Sequence, residues 1–129
     1  MNRLIAVHAS ATMLGGDTLI AVELWTDNVF VHLARGQTDE MRRQWDEYVS
    51  AAMATRDEGA DMPLPPAFRI GDDLRLTDDA GTRYEKRSGA SGGYPEDPVR
   101  AMWAFEPGPP EAAKRLTVAL GDDSVELAL

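Results

Sequence analysis

The sequence predicts an all-β fold, a two-sheet antiparallel β-sandwich interrupted by one α-helix at about residues 39–56. Three observations carry this. The first third alternates apolar and polar residues with a period of two, the mark of half-buried strands. One block, residues 38–57, switches to helical spacing. From Ala67 onward, short alternating runs return, separated by Gly, Asp and Ser clusters that accept turn geometry.

The opening strands are Leu4–Ala11, Thr18–Trp25 and Val29–Ala34. Gly15-Gly16 and Asp27-Asn28 between them suit two-residue hairpin turns, because such residues tolerate the positive φ those turns require. A two-residue turn fixes register, so Leu14 should oppose Asp17 and Thr26 should oppose Val29. One face then holds Ile5, Val7, Ala9 and Ala11 beside Ile20, Val22 and Leu24, with Val29, Val31 and Leu33 on the third strand. The reverse face is mixed, with rows Ser10-Ala21-Ala34, His8-Glu23-His32 and Ala6-Trp25-Phe30.

The helix follows from Met41, Trp45, Tyr48, Val49 and Ala52 at helical spacing, with Thr38 placed to cap its first turn. Asp39 and Glu40 suit the positive helix start and Arg56 the negative end. Asp61-Met62-Pro63-Leu64-Pro65-Pro66 ends it as a semi-rigid connector, since three prolines remove backbone donors. Further strands are expected at Ala67–Ile70, Leu74–Thr77, Thr82–Lys86, Val99–Phe105, Leu116–Leu120 and Val125–Leu129. The glycine-rich stretch 88–98 reads as the most flexible connection. The whole chain, residues 1–129, forms one domain with helix and connector at 38–66. Its expected core is Val7, Val22, Leu24, Val31, Leu33, Trp103, Phe105, Leu116, Val118 and Leu127.

Composition excludes several classes. The chain is 43% hydrophobic and 27% charged, ordinary for a folded domain. No apolar run approaches the roughly 20 residues of a membrane helix, so membrane insertion is not expected. Thirteen basic and 22 acidic residues leave a formal charge of -9, which repels phosphate backbones and argues against a nucleic-acid partner. There is no cysteine, hence neither a disulfide nor a thiol nucleophile. The apolar stretch Leu4–Val7 is shorter than the roughly 7–15 residues of an export signal, and a cytoplasmic location is expected.

The segments Leu74–Tyr84, with its Asp-x-Gly-Thr-x-Tyr turn, Trp103–Glu111, with its Pro-rich closure, and Leu116-Thr117-Val118 together resemble immunoglobulin-like β-sandwich domains of a kind that recurs in actinobacteria. The resemblance covers roughly the last 60 residues. It implies an immunoglobulin-like sandwich; many such domains have no assigned activity, so it implies fold far more than function.

No phosphate loop, dinucleotide fingerprint, His-Glu-x-x-His helix or Gly-x-Ser-x-Gly elbow is present, and no cofactor is expected. The acidic doublets Asp72-Asp73, Asp78-Asp79 and Asp122-Asp123 have calcium-binding chemistry but lack the spacing of an EF-hand loop, and turn roles explain them. The sharpest constellation is the row His8-Glu23-His32, in which two imidazoles flank a carboxylate. It could hold zinc as a two-His-one-Glu set or form a hydrogen-bonded trio, and the trio is the simpler arrangement because parallel side chains on three strands converge poorly on one ion. Trp25 and Phe30 are candidates for a protein contact, Tyr94 for stacking on a sugar or partner. The expected function is therefore a non-enzymatic interaction module, with self-association as one mode. A small-ligand or carbohydrate binder working through the 88–98 loop, or a metal-assisted hydrolase built on His8, Glu23 and His32, are the alternatives.

Overall fold

The computed structural model describes residues 2–36, 38–58, 70–91 and 98–129. Its elements are β1 (Leu4–Leu14), β2 (Asp17–Trp25), β3 (Val29–Arg35), α1 (Asp39–Glu58), β4 (Leu74–Asp78), β5 (Glu85–Ser91), β6 (Val99–Glu106), β7 (Arg115–Leu120) and β8 (Asp123–Ala128). They build a five-stranded sheet in the order β1-β2-β3-β6-β5 and a three-stranded sheet in the order β4-β7-β8. All pairings are antiparallel. This is the expected all-β, two-sheet architecture with one inserted helix.

Gly15 and Gly16 take positive φ values of 60° and 87°, and Leu14 pairs with Asp17 as the two-residue turn requires. The second hairpin closes differently. The Trp25 amide donates to the Asn28 carbonyl at 2.9 Å, and the first ladder pair is Leu24↔Val29. This is a slip of two from the expected register, and an even slip keeps every side chain on its face. Val22, Leu24, Val29, Val31 and Leu33 accordingly all lie in the core, Val22 and Val31 at 0% exposure.

β1 is where the expected register fails. Between Ala9↔Ala21 and Thr12↔Leu19, two residues of β1, Ser10 and Ala11, face the single residue Ile20. Ile20 is in turn an extra residue relative to β3. Such bulges shift register by one and exchange the two faces of the strand beyond them. His8 therefore opposes Val22 on the inner face, while Val7 opposes Glu23 on the outer one. Val7, expected in the core, is 52% exposed, and Ile5 is 56% exposed. The Ser10 hydroxyl fixes the bulge by accepting the Thr12 amide at 3.2 Å.

The same parity change turns Asp17 inward, at 1% exposure. It lies opposite Arg35, whose Nε and Nη2 donate to its two carboxylate oxygens at 2.5 and 3.0 Å. A two-pronged guanidinium contact is the arrangement that best offsets the desolvation of a buried carboxylate.

α1 starts as the sequence indicates: the Thr38 hydroxyl accepts the Met41 amide at 3.1 Å, capping the first turn. Met41 joins the core, Trp45 packs against it, and Tyr48 meets Trp45 edge-on at 5.4 Å between ring centroids. Val49, expected on the same stripe, is exposed. The Pro-rich connector at 61–66 and most of the strand expected at Ala67–Ile70 lie outside the described residues; Ile70 itself is a buried turn residue.

The second half departs from expectation at residues 78–91. The Asp-x-Gly-Thr-x-Tyr segment is a crossing between sheets, since β4 pairs with β7 and β5 with β6. The strand expected at Thr82–Lys86 instead runs Glu85–Ser91 and includes the first part of the stretch expected to be a flexible loop. The crossing is held by Asp78. Its Oδ1 accepts the amides of Ala80 and Thr82 at 2.9 and 3.0 Å, and its Oδ2 accepts the Tyr84 hydroxyl at 2.8 Å. Asp79 accepts the amides of Lys114 and Arg115 at 2.8 and 3.3 Å. These doublet residues are turn fasteners, as the plainer reading of their chemistry holds.

Trp103 of β6 is locked into the inner layer. Its indole N–H donates to the Ile70 carbonyl at 2.7 Å, and the Lys86 ammonium lies 4.3 Å from its ring centroid. Gly89, paired with Trp103 across the strand, leaves room for the ring: a Cβ there would stand 2.7 Å from Cε3.

Three outcomes follow. Gly89→Ala forces the Trp103 ring off its site and should lower stability by about 1–3 kcal/mol, as overpacking does, measured by chemical denaturation. Arg35→Leu leaves Asp17 buried without its partner and should cost about 3 kcal/mol; an unchanged denaturation midpoint would show that the pair is not needed. For Asp78, partial burial raises the carboxyl pKa, but the hydrogen bonds from Thr82, Tyr84 and Ala80 outweigh it, so the group is held below its ordinary value. A depressed carboxyl contributes stability above the unfolded pKa, about 3.9, and loses it as pH falls through the folded value. Asp78→Asn should thus lower Tm at pH 7, with the difference from the parent chain narrowing as pH drops below 4; parallel curves would refute this.

Candidate functional site

The inner face of the five-stranded sheet is occupied by core, so the functional question falls on its outer face. Cross-strand pairing assigns that face in rows. Val7, Glu23, Phe30, Ala104 and Ser88 form one, and Ala9, Ala21, His32, Met102 and Ala90 form the next. A third contains Thr18, Ala34 and Arg100. Alanines stand on both sides of His32 and Met102 in the middle row. Where larger neighbours flank small ones, the surface dips, and here it forms a depression of about 420 Å³ reached by residues of all five strands.

Glu23 and His32 meet inside this depression. They are diagonal neighbours, because Glu23 opposes Phe30 and His32 opposes Ala21. His32 Nε2 contacts Glu23 Oε2, and the Trp25 indole N–H donates to Glu23 Oε1 at 3.2 Å. Both carboxylate oxygens are therefore engaged. Trp25 packs edge-on against Phe30, with centroids 6.2 Å apart. A chain of four side chains, Phe30-Trp25-Glu23-His32, results, in which the aromatic pair orients the indole N–H and the indole helps to orient the carboxylate.

The expected row His8-Glu23-His32 does not form. The extra residue Ile20 turns Glu23 to the outer face with His32, while His8 keeps the inward alternation of Leu14, so the imidazoles lie on different sides of the sheet. Among the described residues no group of three or more His, Asp or Glu side chains is arranged to hold a metal ion. The zinc site proposed from sequence, and the hydrolase that depends on it, lose one of three ligands. Glu23 and His32 remain a two-residue unit.

Trp25 and Phe30 are neighbours, as expected, but diagonal and half-buried against one another. The large apolar side chains that do stand in solvent on the sheet belong to β1: Leu4, Ile5, Val7 and Met13, the last at 64% exposure. Tyr94 lies outside the described residues, as does most of the 88–98 loop beyond its strand residues Ser88–Ser91. Arg100, Met102 and Ala90 complete the depression and were not singled out from sequence. Their outward alternation with Val99, Ala101 and Trp103 is visible in the chain, but the pairing of β6 with β3 that brings them to His32 is not.

α1 is not long and apolar enough to cross a membrane, and no other helix occurs among the described residues. In comparisons with known proteins, no family model, no curated protein and no solved structure matches this chain.

Proposed function

We propose that the chain is a non-enzymatic interaction module, acting in the cytoplasm, that associates with a second copy of itself through the edge of β1. One observation carries this reading. β1 is an 11-residue edge strand whose sequence, Leu4–Leu14, contains no Asp, Glu, Lys, Arg or Pro. Unpaired edges invite pairing with another strand, and folded proteins guard them with charge, proline or bulges. The other three edges are guarded: β5 carries Glu85, Lys86 and Arg87, β4 carries Arg75 and Asp78, and β8 carries Asp123 and Glu126. β1 has only its bulges, with Ser10 occupying the Thr12 amide. The pairing stretch is consequently the regular run Ala6–Ala9, between the irregularity at Ile5 and the bulge at Ser10–Ala11.

A second copy fits this edge better than an unrelated strand. Antiparallel pairing of β1 with itself about a two-fold axis satisfies both edges at once. It also brings together part of the longest carboxylate-free run of a -9 chain, residues 1–16, keeping like charges apart where the copies touch. Trp25 and Phe30 then serve the interface from behind, by backing the strand next to it.

Sedimentation velocity across a concentration series tests the proposal. The parent chain should form a dimer that strengthens with added salt, because screening removes the mutual repulsion of two acidic chains. Val7→Lys, at an already exposed position, should yield a monomer of unchanged Tm. A monomer at millimolar concentration in high salt would overturn the reading. A dimer that survives Val7→Lys but dissociates in Trp25→Asp would move the interface to the aromatic pair.

A further inference from the structure

We infer that the outer-face depression is a binding site for a small carboxylate with an apolar body. This stands apart from association through β1, since pairing at the sheet edge leaves the face open.

The shape comes first. At about 420 Å³ the depression falls within the range of roughly 300–1,000 Å³ typical of small-molecule sites. Its floor is made low by Ala21 and Ala90, and Val7, Ile20 and Met102 supply apolar walls. Three polar side chains enter it: Glu23, His32 and Arg100. An apolar basin with a few polar groups selects amphiphilic ligands, the walls taking the body and the polar groups the head.

The charge of the head follows from which polar atoms are spent. Glu23 has one oxygen on the Trp25 indole and the other on His32, so it offers a ligand ammonium little. Arg100 is exposed and has no ion pair among the described residues. His32 engages Nε2 and leaves Nδ1 without a partner among the described residues, where a neutral ring accepts the proton of a carboxyl group and an imidazolium donates to a carboxylate. Arg100 and His32 are diagonal across β3 and β6, since Ala34 opposes Arg100 and His32 opposes Met102. That geometry sets their Cβ atoms at most about 7–8 Å apart, a span that one carboxylate can bridge with its two oxygens. Glu23, Arg100 and His32 together carry zero or one positive charge, on a chain whose total is -9. The depression is thus a place where an anion is not repelled, and Glu23 acts as a positioning residue that holds the imidazole.

Octanoate is the probe, with octanol and octylammonium as controls of equal chain length. Titrated into ¹⁵N-labelled protein, octanoate should shift the amides of Ala21, His32, Ala90, Arg100 and Met102, and bind at least tenfold more tightly than either control. Arg100→Gln should weaken octanoate binding at least tenfold, equivalent to about 1.4 kcal/mol, and leave octanol binding unchanged. Ala21→Leu fills the floor and should abolish binding; if that variant does not fold, Ala90→Leu on the edge strand β5 replaces it. Equal affinity for octanoate and octanol, a preference for octylammonium, shifts confined to another surface, or an Arg100→Gln variant that binds as the parent does would each overturn the proposal. Sedimentation reads association independently, so either reading can fail while the other stands.

Discussion

The bulge at Ile20 is the constraint on which the rest of the sheet depends. One residue is added to β2 relative to β3, and one more to β1 relative to β2, at the same level of the sheet. Within β2, residues on the turn side of that level have the opposite parity from those beyond it, whereas β1 and β3 each keep one alternation throughout. Asp17 and Leu19 point inward on one side of the bulge, Val22 and Leu24 on the other. Without the extra residue, the strands could not bury both pairs. With it, β2 contributes to the core along its whole length, while β1 keeps its odd-numbered residues, Ile5, Val7 and Met13 among them, turned outward.

Inward-facing Asp17 explains the end of β3. A buried carboxylate is costly unless paired and hydrogen-bonded, and Arg35 is the residue that β3 presents directly opposite it. The pair closes the sheet just before the chain leaves for α1. A residue that looks like hairpin punctuation in the sequence, Asp17 after Gly15-Gly16, is thus a core element with its own counter-ion. The Asp123 carboxylate of β8 reaches the same turn, accepting the Gly15 amide at 2.9 Å, and ties the two sheets together there.

Much of the fold was legible in the chain because period and turn chemistry are local. The Gly15-Gly16 turn, the helix with its Thr38 cap, β6, β7 and the inward set Val22, Leu24, Val31, Leu33, Phe105, Leu116 and Val118 were all readable from neighbours in sequence. The errors share a cause. Ser10 and Ala11 carry no signal that says two residues will face one, so the bulge was invisible, and with it the exposure of Val7 and the separation of His8 from Glu23. The Asp78–Tyr84 segment has ordinary hairpin residues, and only the choice of partner strand makes it a crossing between sheets. Glu23 and His32 were found as a pair because a slip of two preserves faces and leaves diagonal neighbours within reach. Arg100 was missed because strand order is a tertiary property.

The bulge that spoiled the expected metal row is also what makes the outer face usable. In the register without it, His8 would sit beside Glu23 and compete with the Trp25 indole and His32 for the carboxylate. The observed register puts Val7 opposite Glu23 and Ala9 opposite Ala21, replacing a third polar side chain with an apolar wall and a small floor residue. Both carboxylate oxygens are then engaged by their own neighbours, and the His32 Nδ1 and the Arg100 guanidinium, without partners among the described residues, face the basin. A single inserted residue on an edge strand thus converts what would have been a crowded polar row into a depression whose open polar groups are the His32 Nδ1 and the Arg100 guanidinium.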